Sequence, residues 1–126
     1  MEGGCQVRFR PMPHGVLRAQ VMGVRSLAST IAYWEAILAR VLQDQPRALL
    51  VVDELVGEEL AASEWKTLVE EMVGRGLEGV RIAHVKPFAF DQINYCERYA
   101  NAAGLESRTF RREPDASAWL RADAAG

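Results

Sequence analysis

Residues 47–68 read RALLVVDELVGEELAASEWKTL, and this stretch decides how the chain is organised. The apolar run at 48–52 is too short for a helix and rich in β-branched residues, which is typical of a strand covered on both faces. Asp53 and Glu54 end this run, and we expect them to mark the exit of the strand. After a short acidic loop, Ser63 is expected to begin a helix. A buried strand followed by a helix predicts an α/β fold.

The same alternation continues along the rest of the chain. Residues 6–10 and 16–22 alternate apolar and polar side chains around PMPHG, which predicts an antiparallel β-hairpin. Two more strands are predicted at 80–85 and 107–111. We therefore expect a single α/β domain spanning 1–126, with an N-terminal β-hairpin that continues into a mostly parallel sheet. It should have about five strands and four helices, in the order ββαβαβαβα.

For two of the predicted helices, the sequence also indicates where the helix begins or ends, and for one of them which side is buried. Ser26 is a candidate N-cap, and the apolar residues after it recur at helical spacing, so that we expect them to face the core. These residues are Leu27, Ile31, Trp34, Leu38, Val41 and Leu42. The third helix is predicted to begin near Phe90 and to end at Gly104, a glycine C-cap followed by the apolar Leu105.

Composition narrows the class of protein. A chain of 126 residues with 49% hydrophobic and 25% charged residues is typical of one globular domain. The formal net charge of -2 disfavours a nucleic-acid-binding role, and no apolar run approaches the length of a membrane span. Two isolated cysteines, Cys5 and Cys96, cannot form a disulfide framework. We therefore predict a cytoplasmic protein.

The order of elements, together with the segments LLVVDE, GLEGVRIAHV, NAAGLESRTF and DASAWL, resembles the bacterial STAS-like domains. These have the anti-anti-sigma-factor-like fold and are related in shape to the CRAL-TRIO lipid-carrier domains. The resemblance implies a non-enzymatic regulatory or protein-interaction module, with a protein partner or a homodimer. In phosphorylated members a kinase modifies a Ser at a helix start. Ser63 is the only match here, because the Asp-Ser pair and the following Gly of that motif are missing.

The carboxyl ends of the predicted parallel strands define a candidate crevice, since open α/β sheets bind ligands there. Its candidate residues are Asp53, Glu54, Ser63, His84, Lys86, Phe88 and Phe90. Ser63 has two readings, a helix cap or a phosphoryl acceptor.

Asp53 and Glu54 could be paired carboxylates for acid–base chemistry. Adjacent residues of a strand point to opposite faces, however, which favours a strand exit with Asp53 bonded to local backbone or paired with Lys86. Glu58 and Glu59 are predicted to be solvated loop charges.

No catalytic, cofactor or metal site is predicted. His84 has no second His or Cys at metal-binding spacing, and its alternation with Val80 and Ile82 indicates a partly buried histidine of the core. The chain contains no GxSxG, and its GRGLEG segment precedes a strand instead of following one, unlike a phosphate-binding loop.

Two binding surfaces remain as hypotheses. Arginines on the outer face of the sheet form either a solvated row or a surface for an acidic partner: Arg8, Arg10, Arg18, Arg81 and Arg108. Aromatic residues between helices and sheet could instead hold a small apolar, lipid-like ligand, with Phe88 and Phe90 as a lip. An exposed hairpin edge also makes a homodimer plausible.

Overall fold

The computed structural model describes residues 5–88 and 95–125, which form a five-stranded sheet with four α-helices. The elements follow in the order β1 (Cys5–Met12), β2 (Val16–Val24), α1 (Leu27–Asp44), β3 (Ala48–Val56), α2 (Ala62–Met72), β4 (Arg81–Val85), α3 (Tyr95–Ala102), β5 (Glu106–Phe110) and α4 (Glu113–Ala125). β1 and β2 pair antiparallel, and β2 to β5 pair parallel in sequential order. The predicted α/β class, hairpin and order of elements are confirmed.

Helices cover the two faces of the sheet unequally. Right-handed crossovers between sequential parallel strands place α1, α2 and α3 on one face, where they form the larger core. On the other face α4 packs against β3, β4 and β5, and its Ala116 and Leu120 cover Leu50 and Ala83. Within the described residues, no helix covers the β1–β2 part of that second face.

The hairpin turn is held against the start of β3. Pro13–Gly15 forms a short 3₁₀ turn in which His14 and Gly15 have left-handed φ values of 65° and 75°. The backbone N–H of Arg47 donates to the Gly15 carbonyl at 2.8 Å, and its side-chain Nε donates to the His14 carbonyl at 2.8 Å. These bonds fix the position of the Arg47 side chain beside the turn.

β3 is longer than predicted. Asp53 and Glu54 do not mark the exit of the strand, because β3 continues to Val56 and pairs with β2 up to the pair Val24 and Val56. Leu55 is buried beyond them, so the strand gains apolar contacts by continuing. A charged residue can lie inside a buried strand only where other groups neutralise it, as described below for Asp53.

α1 buries a different face from the one predicted. Trp34, Leu38 and Val41 are in the core as expected, but Leu27, Ile31 and Leu42 are 40%, 39% and 65% exposed. Their places are taken by Ser29, Thr30, Tyr33 and Ile37. The hydroxyls of Ser29 and Thr30 both donate to the Ser26 carbonyl, at 3.1 and 2.8 Å, so that these polar groups can be buried.

The two predicted helix caps have different outcomes. Ser26 caps α1, since its hydroxyl accepts from the backbone N–H of Ser29 at 3.0 Å. Ser63 does not cap α2: the N-cap is Ala61, and Glu64 Oε1 accepts from the Ala61 N–H at 2.8 Å. Glu64 thus bonds the backbone N–H of the N-cap residue itself, and Ser63, already inside the first turn, has no capping role.

The third helix ends as predicted. Gly104 has a left-handed φ of 94°, and the N–H of the buried Leu105 donates to the Ala100 carbonyl at 2.9 Å. Described residues of this helix begin at Tyr95, and its predicted start at Phe90 lies outside them.

Two serine substitutions test this assignment of the caps. Ser26→Ala should lower the free energy of unfolding by about 1 kcal/mol, because it leaves a helix N–H without its acceptor. Ser63→Ala should change it by less than about 0.5 kcal/mol, as is usual for an exposed side chain. Urea unfolding of the two variants measures both values. An equal or larger loss for Ser63→Ala would show that Ser63 caps α2.

Candidate functional site

Asp53 lies at the centre of a buried group of polar side chains on the face covered by α1, α2 and α3. Its Oδ1 accepts from Arg25 Nη2 at 2.9 Å and from the Leu55 N–H at 3.2 Å. Its Oδ2 lies 3.0 Å from His84 Nε2 and accepts from the Tyr33 hydroxyl at 3.3 Å. All the hydrogen-bonding capacity of this carboxylate is therefore used inside the protein.

Glu59 forms a second centre beside the first. Its Oε2 accepts from Lys86 Nζ at 2.5 Å, and its Oε1 accepts from Trp65 Nε1 at 3.0 Å and from the Leu60 N–H at 2.9 Å. Arg25 joins the two centres, since its Nη1 lies 3.6 Å from Glu59 Oε1. Lys86 Nζ also lies 5.1 Å from the centre of the Trp65 ring, within cation–π range. We call these residues the ionic cluster: Arg25, Tyr33, Asp53, Glu59, His84 and Lys86.

The charges of the ionic cluster balance. Burial would raise the pKa of Asp53, but the hydrogen bond from His84 and the charges of Arg25 and Lys86 outweigh burial and hold that pKa well below its usual range. Burial also raises the pKa of Glu59, but the charge of Lys86 and its hydrogen bond to Glu59 outweigh burial and lower that pKa. Two carboxylates thus face two cations.

The other two members of the ionic cluster are neutral. Burial lowers the pKa of His84, even though its bond to Asp53 acts in the opposite direction. Because an ionised carboxylate only accepts hydrogen bonds, His84 donates through Nε2 and carries no proton on Nδ1. Burial raises the pKa of Tyr33 well above its usual value, so its hydroxyl stays protonated. The cluster as a whole has no net charge.

The side chains of the ionic cluster are almost fully shielded from solvent. Asp53, His84 and Lys86 are each 1% exposed and Arg25 is 6% exposed, while the Glu59 side chain keeps 7% exposure. Three residues of the ionic cluster lie in three different connections of the chain: Arg25 between β2 and α1, Glu59 between β3 and α2, and Lys86 directly after β4. The cluster therefore holds these connections together.

Two predictions about these charges are wrong. Asp53 has Arg25 as its ion-pair partner and the neutral His84 as a hydrogen-bond donor, and Lys86 pairs with Glu59 instead. Glu59 is a buried charge and not a solvated one, because it is the counter-ion that Lys86 requires.

Other predictions about this region are confirmed. Glu54 points to the opposite face from Asp53, where its Oε1 accepts from Gln20 Nε2 at 2.8 Å, so the two carboxylates share no site. His84 does lie on the core face, and it is fully buried where we expected partial burial. Asp53 also bonds local backbone, at Leu55.

Sequence reasoning missed Arg25, Tyr33 and Trp65 as members of this region. Arg25 directly precedes a helix cap, where an exposed basic residue is unremarkable. Tyr33 and Trp65 each lie on the buried side of a helix and carry a polar group that needs a buried hydrogen-bond partner. This combination of residue type and helical position was the sequence signal for both.

Ser63 lies apart from the ionic cluster, on an exposed groove between α1 and α2. The groove has a volume of about 310 Å³ and is lined by Leu27, Ile31, Ser63, Glu64, Thr67, Leu68 and Glu71; we call it the α1–α2 groove. Its apolar part is formed by the outward side of α1, and its lining includes two carboxylates. No basic side chain is among the described residues that line it.

Of the two remaining crevice candidates, the structure describes Phe88. Phe88 is 63% exposed, two residues after the buried Lys86. Phe90 lies outside the described residues.

The predicted arginine row is divided into separate parts. Strand register places all five arginines on one face of the sheet, as predicted. Leu50 and Ala83 lie between Arg18 and Arg108 in that register and are covered by α4, however. Arg18 forms a two-bond pair with Glu113, at 2.9 and 3.0 Å, and Arg81 pairs with Glu106 and lies over the Trp119 ring. The exposed arginines at the hairpin are Arg8 and Arg10.

In the part of the chain that the structure describes, no cluster of three or more His, Cys, Asp or Glu side chains could hold a metal ion. No helix among residues 5–88 and 95–125 has the length and apolar character needed to cross a membrane. Cys5 and Cys96 are free and buried, and burial raises the pKa of the Cys96 thiol to about 12, which makes it a poor nucleophile at neutral pH.

Comparison of the chain with protein-family models, with curated proteins and with solved structures finds no match. Function therefore has to be inferred from the surfaces and the charges of this chain alone.

The two lysines of the chain offer a matched test of the ionic cluster. Lys86→Met should lower the free energy of unfolding by about 3–5 kcal/mol, because it leaves the buried Glu59 carboxylate without its closest cation and with only the longer 3.6 Å contact to Arg25. Lys66→Met, at an exposed position of α2, should change it by less than about 0.5 kcal/mol. Chemical denaturation measures both.

A double variant tests the same pairing. Adding Glu59→Gln to Lys86→Met removes the unpaired charge and should restore part of the lost stability; where both single variants fold, a double-mutant cycle should give a coupling energy of about 1–3 kcal/mol. If Lys86→Met does not fold, the double variant should recover the fold. Additive effects of the two substitutions would contradict the pairing.

Stability should fall on mild acidification. The folded pKa of His84 lies below its ordinary value of about 6.5, so neutral His84 stabilises the fold fully above that pH and less as the pH drops below it. The lowered pKa values of Asp53 and Glu59 add a further loss below about pH 4.5. Urea unfolding at pH 7.5 and 5.0 should show lower stability at pH 5.0.

The two histidines provide the control for this pH dependence. His84→Gln keeps a donor near Asp53 but does not titrate, so it should flatten the decline between pH 6.5 and 5.0. His14→Gln, in the exposed turn, should leave the decline unchanged. The same slope in the His84→Gln variant and in the unsubstituted protein would rule out the buried neutral histidine.

Proposed function

We propose that this chain is a non-enzymatic, STAS-like interaction module of the bacterial cytoplasm, in which the α1–α2 groove binds a partner protein. The observation that carries the proposal is that α1 exposes two large apolar side chains, Leu27 and Ile31, beside a second helix. Neither contributes to the core, and apolar surface grouped in a groove favours a binding site over chance exposure.

Two further exposed apolar residues lie at the ends of the strands that flank α1 in the chain. Val24 and Val56 are 61% and 50% exposed and pair with each other at the ends of β2 and β3, and Val24 precedes the first residue of α1 by three positions. A stable protein interface buries about 800 Å² on each partner. We propose that these valines contribute to such an interface together with the groove.

Charge determines the kind of partner. Glu64 and Glu71 line the groove, and a basic residue on the partner would pair with them at its rim. We therefore propose that the occupant is an amphipathic helix with apolar residues on one side and lysines or arginines beside them. Such a helix is recognised by laying its apolar side into a groove.

Ser63 is proposed as the regulatory position of this surface. It is exposed, lies in the first turn of α2 and is not needed as a cap, so a kinase could modify it without removing a structural bond. A phosphate at a helix N-terminus is favoured by the helix dipole. Since it would add negative charge to an acidic groove, phosphorylation should strengthen the binding of a basic partner.

Synthetic peptides test the groove directly. A fluorescent amphipathic helix of leucine and lysine should bind, and the same pattern with glutamate in place of lysine should not. Ile31→Asp should weaken binding of the basic peptide at least about tenfold, since it puts a charge into the apolar contact. Ser63→Asp should strengthen it. Fluorescence anisotropy measures each affinity.

Leu42 is the matched control for this experiment. It is the most exposed apolar residue of α1 and lies outside the groove, so Leu42→Asp should leave the affinity unchanged. Equal binding of the acidic peptide, or equal losses from Leu42→Asp and Ile31→Asp, would contradict the proposal.

A homodimer is the alternative occupant, and β1 gives a reason to test for it. β1 is an edge strand of eight residues, paired on one side by β2. A second copy could add to that edge by β-strand pairing. Light scattering after size-exclusion chromatography, over a range of concentrations, separates a dimer from a monomer.

A further inference from the structure

The two edge strands of the sheet, β1 and β5, differ in what lies beside them. Along β5, side chains of α3 take the place of a neighbouring strand. The Ser107 N–H donates to Asn101 Oδ1 at 3.0 Å, and the Ser107 carbonyl accepts from Asn101 Nδ2 at 2.9 Å. The Thr109 N–H donates to Glu97 Oε1 at 2.5 Å. The backbone groups that would receive another strand at β5 are therefore already bonded.

The free edge of β1 has no such cover. β2 pairs with β1 on one side along its whole length, Cys5–Met12, and among the described residues no side chain bonds the β1 backbone. Because the N–H and C=O groups of an antiparallel strand point alternately to its two sides, part of them faces away from β2. Unpaired groups at a strand edge bond readily to another extended chain, so a further strand can be added at β1.

The outer face of β1, away from α1, is positively charged. Arg8 and Arg10 are exposed there, and neither has a carboxylate within ion-pair distance among the residues that the structure describes. The two bonds from Arg18 are the main cause of the lowered pKa of Glu113, and the charge of Arg10 adds to it. Since Arg18 occupies both oxygens of Glu113, Arg8 and Arg10 are available to the carboxylates of a partner.

The face of β1 towards α1 is apolar. Val7 and Phe9 are half-buried there and pack against the core. The Arg40 guanidinium on α1 lies 5.1 Å from the centre of the Phe9 ring, but Arg40 is paired with Asp44 at 2.8 Å and adds no unpaired charge. An added strand would therefore meet arginines on one face and apolar side chains on the other, at alternate positions.

A second copy of β1 is poorly matched to this edge. In an antiparallel pair, residues directly opposite each other point to the same face of the sheet. The Arg8 and Arg10 side chains of both copies would therefore lie together on one face, and like charges opposite each other destabilise a strand pair. A strand that carries carboxylates at those positions is attracted by the same arginines.

We propose that β1 binds an extended acidic segment of a partner protein, which adds to the sheet as one more strand. The backbone of the segment pairs with the free edge of β1. Its carboxylates, at alternate positions, lie opposite Arg8 and Arg10, and the apolar residues between them cover Val7 and Phe9. This surface is separate from the α1–α2 groove, whose proposed partner is a basic helix, so that either proposal can fail without the other.

A synthetic peptide of alternating glutamate and valine is the probe for the charge of the partner. It should bind, and the same peptide with lysine in place of glutamate should bind at least about tenfold more weakly, because like charges then lie opposite each other. Fluorescence anisotropy at neutral pH measures both affinities. Equal binding of the two peptides, or no binding of the glutamate peptide at millimolar concentration, would overturn the proposal.

Backbone methylation tests whether the peptide binds as a strand. N-methyl groups are placed either on all the valine nitrogens or on all the glutamate nitrogens, which leaves the charge of the peptide unchanged. One of these two sets faces β1 and the other faces away, so that one methylated peptide should lose binding and the other should keep it. Equal affinities of the two methylated peptides would contradict strand addition.

Two charge reversals locate the site. Arg8→Glu should weaken binding of the glutamate peptide at least about tenfold and strengthen binding of the lysine peptide. Arg98→Glu makes the same change of charge at an exposed position of α3, and it should leave both affinities unchanged. Equal effects of the two substitutions would show that the peptides respond only to the net charge of the protein, and would overturn the proposal.

Amide signals in a ¹⁵N NMR titration give an independent readout. The glutamate peptide should shift the amides of Val7 and Phe9 and should slow hydrogen exchange within β1. Shifts confined to Ser107 and Thr109 would place the peptide at the other edge of the sheet, and shifts confined to Leu27 would place it in the α1–α2 groove. Either result would overturn the proposal.

Light scattering tests the exclusion of a second copy. The double substitution of Arg8→Val with Arg10→Val should make the protein associate at concentrations where the unsubstituted protein does not, because charge on an edge strand opposes pairing between copies. A dimer of the unsubstituted protein that the glutamate peptide dissociates would show that a second copy occupies this edge, and would overturn the proposal.

Discussion

The arrangement of this protein's loops depends on the hydrogen bonds and the ion pair of the buried Asp53 carboxylate. It lies inside β3, on the face that three helices cover, where an unpaired charge would cost several kcal/mol. Arg25, His84 and Tyr33 reach it from three different elements, and Glu59 and Lys86 complete the balance of charge. Because each group requires the others, the connections that carry them have one arrangement.

That arrangement sets the surface on the face of the sheet that α1, α2 and α3 cover. Tyr33 turns towards Asp53, and this rotation of α1 leaves Leu27 and Ile31 pointing outwards beside α2. Glu59 anchors the loop that leads into α2, and so positions Ser63 on the groove. On the other face, a separate ion pair between Arg18 and Glu113 joins β2 to the start of α4.

Local patterns were enough to predict the architecture. Alternation at the hairpin, the apolar run in β3 and the glycine at the end of α3 each depend on a few neighbouring residues, and these predictions are confirmed. Predictions failed where a distant partner decided the outcome. Asp53 continues a strand instead of ending it because Arg25, 28 residues earlier, neutralises it.

The site was harder to predict than the fold for the same reason. Ser63 has the residue type of a cap, but α2 already begins at Ala62, and the side chain that bonds the N-cap backbone is that of Glu64. Glu59 has the sequence context of a solvated loop charge, and only the packing of Lys86 after β4 shows that it is buried. The outward turn of Ile31 follows from Tyr33 and Asp53, which no helical periodicity reveals.

The ionisation of Asp53 is the most direct test of this account. ¹³C NMR of the labelled carboxyl groups, followed from pH 7 to the onset of acid unfolding, reports the protonation of each aspartate in the folded protein. The account predicts that the Asp53 signal keeps the shift of an ionised carboxylate throughout, because His84, Arg25 and Lys86 hold its pKa well below the usual range. A titration of Asp53 at or above the ordinary value of about 3.9 would contradict it.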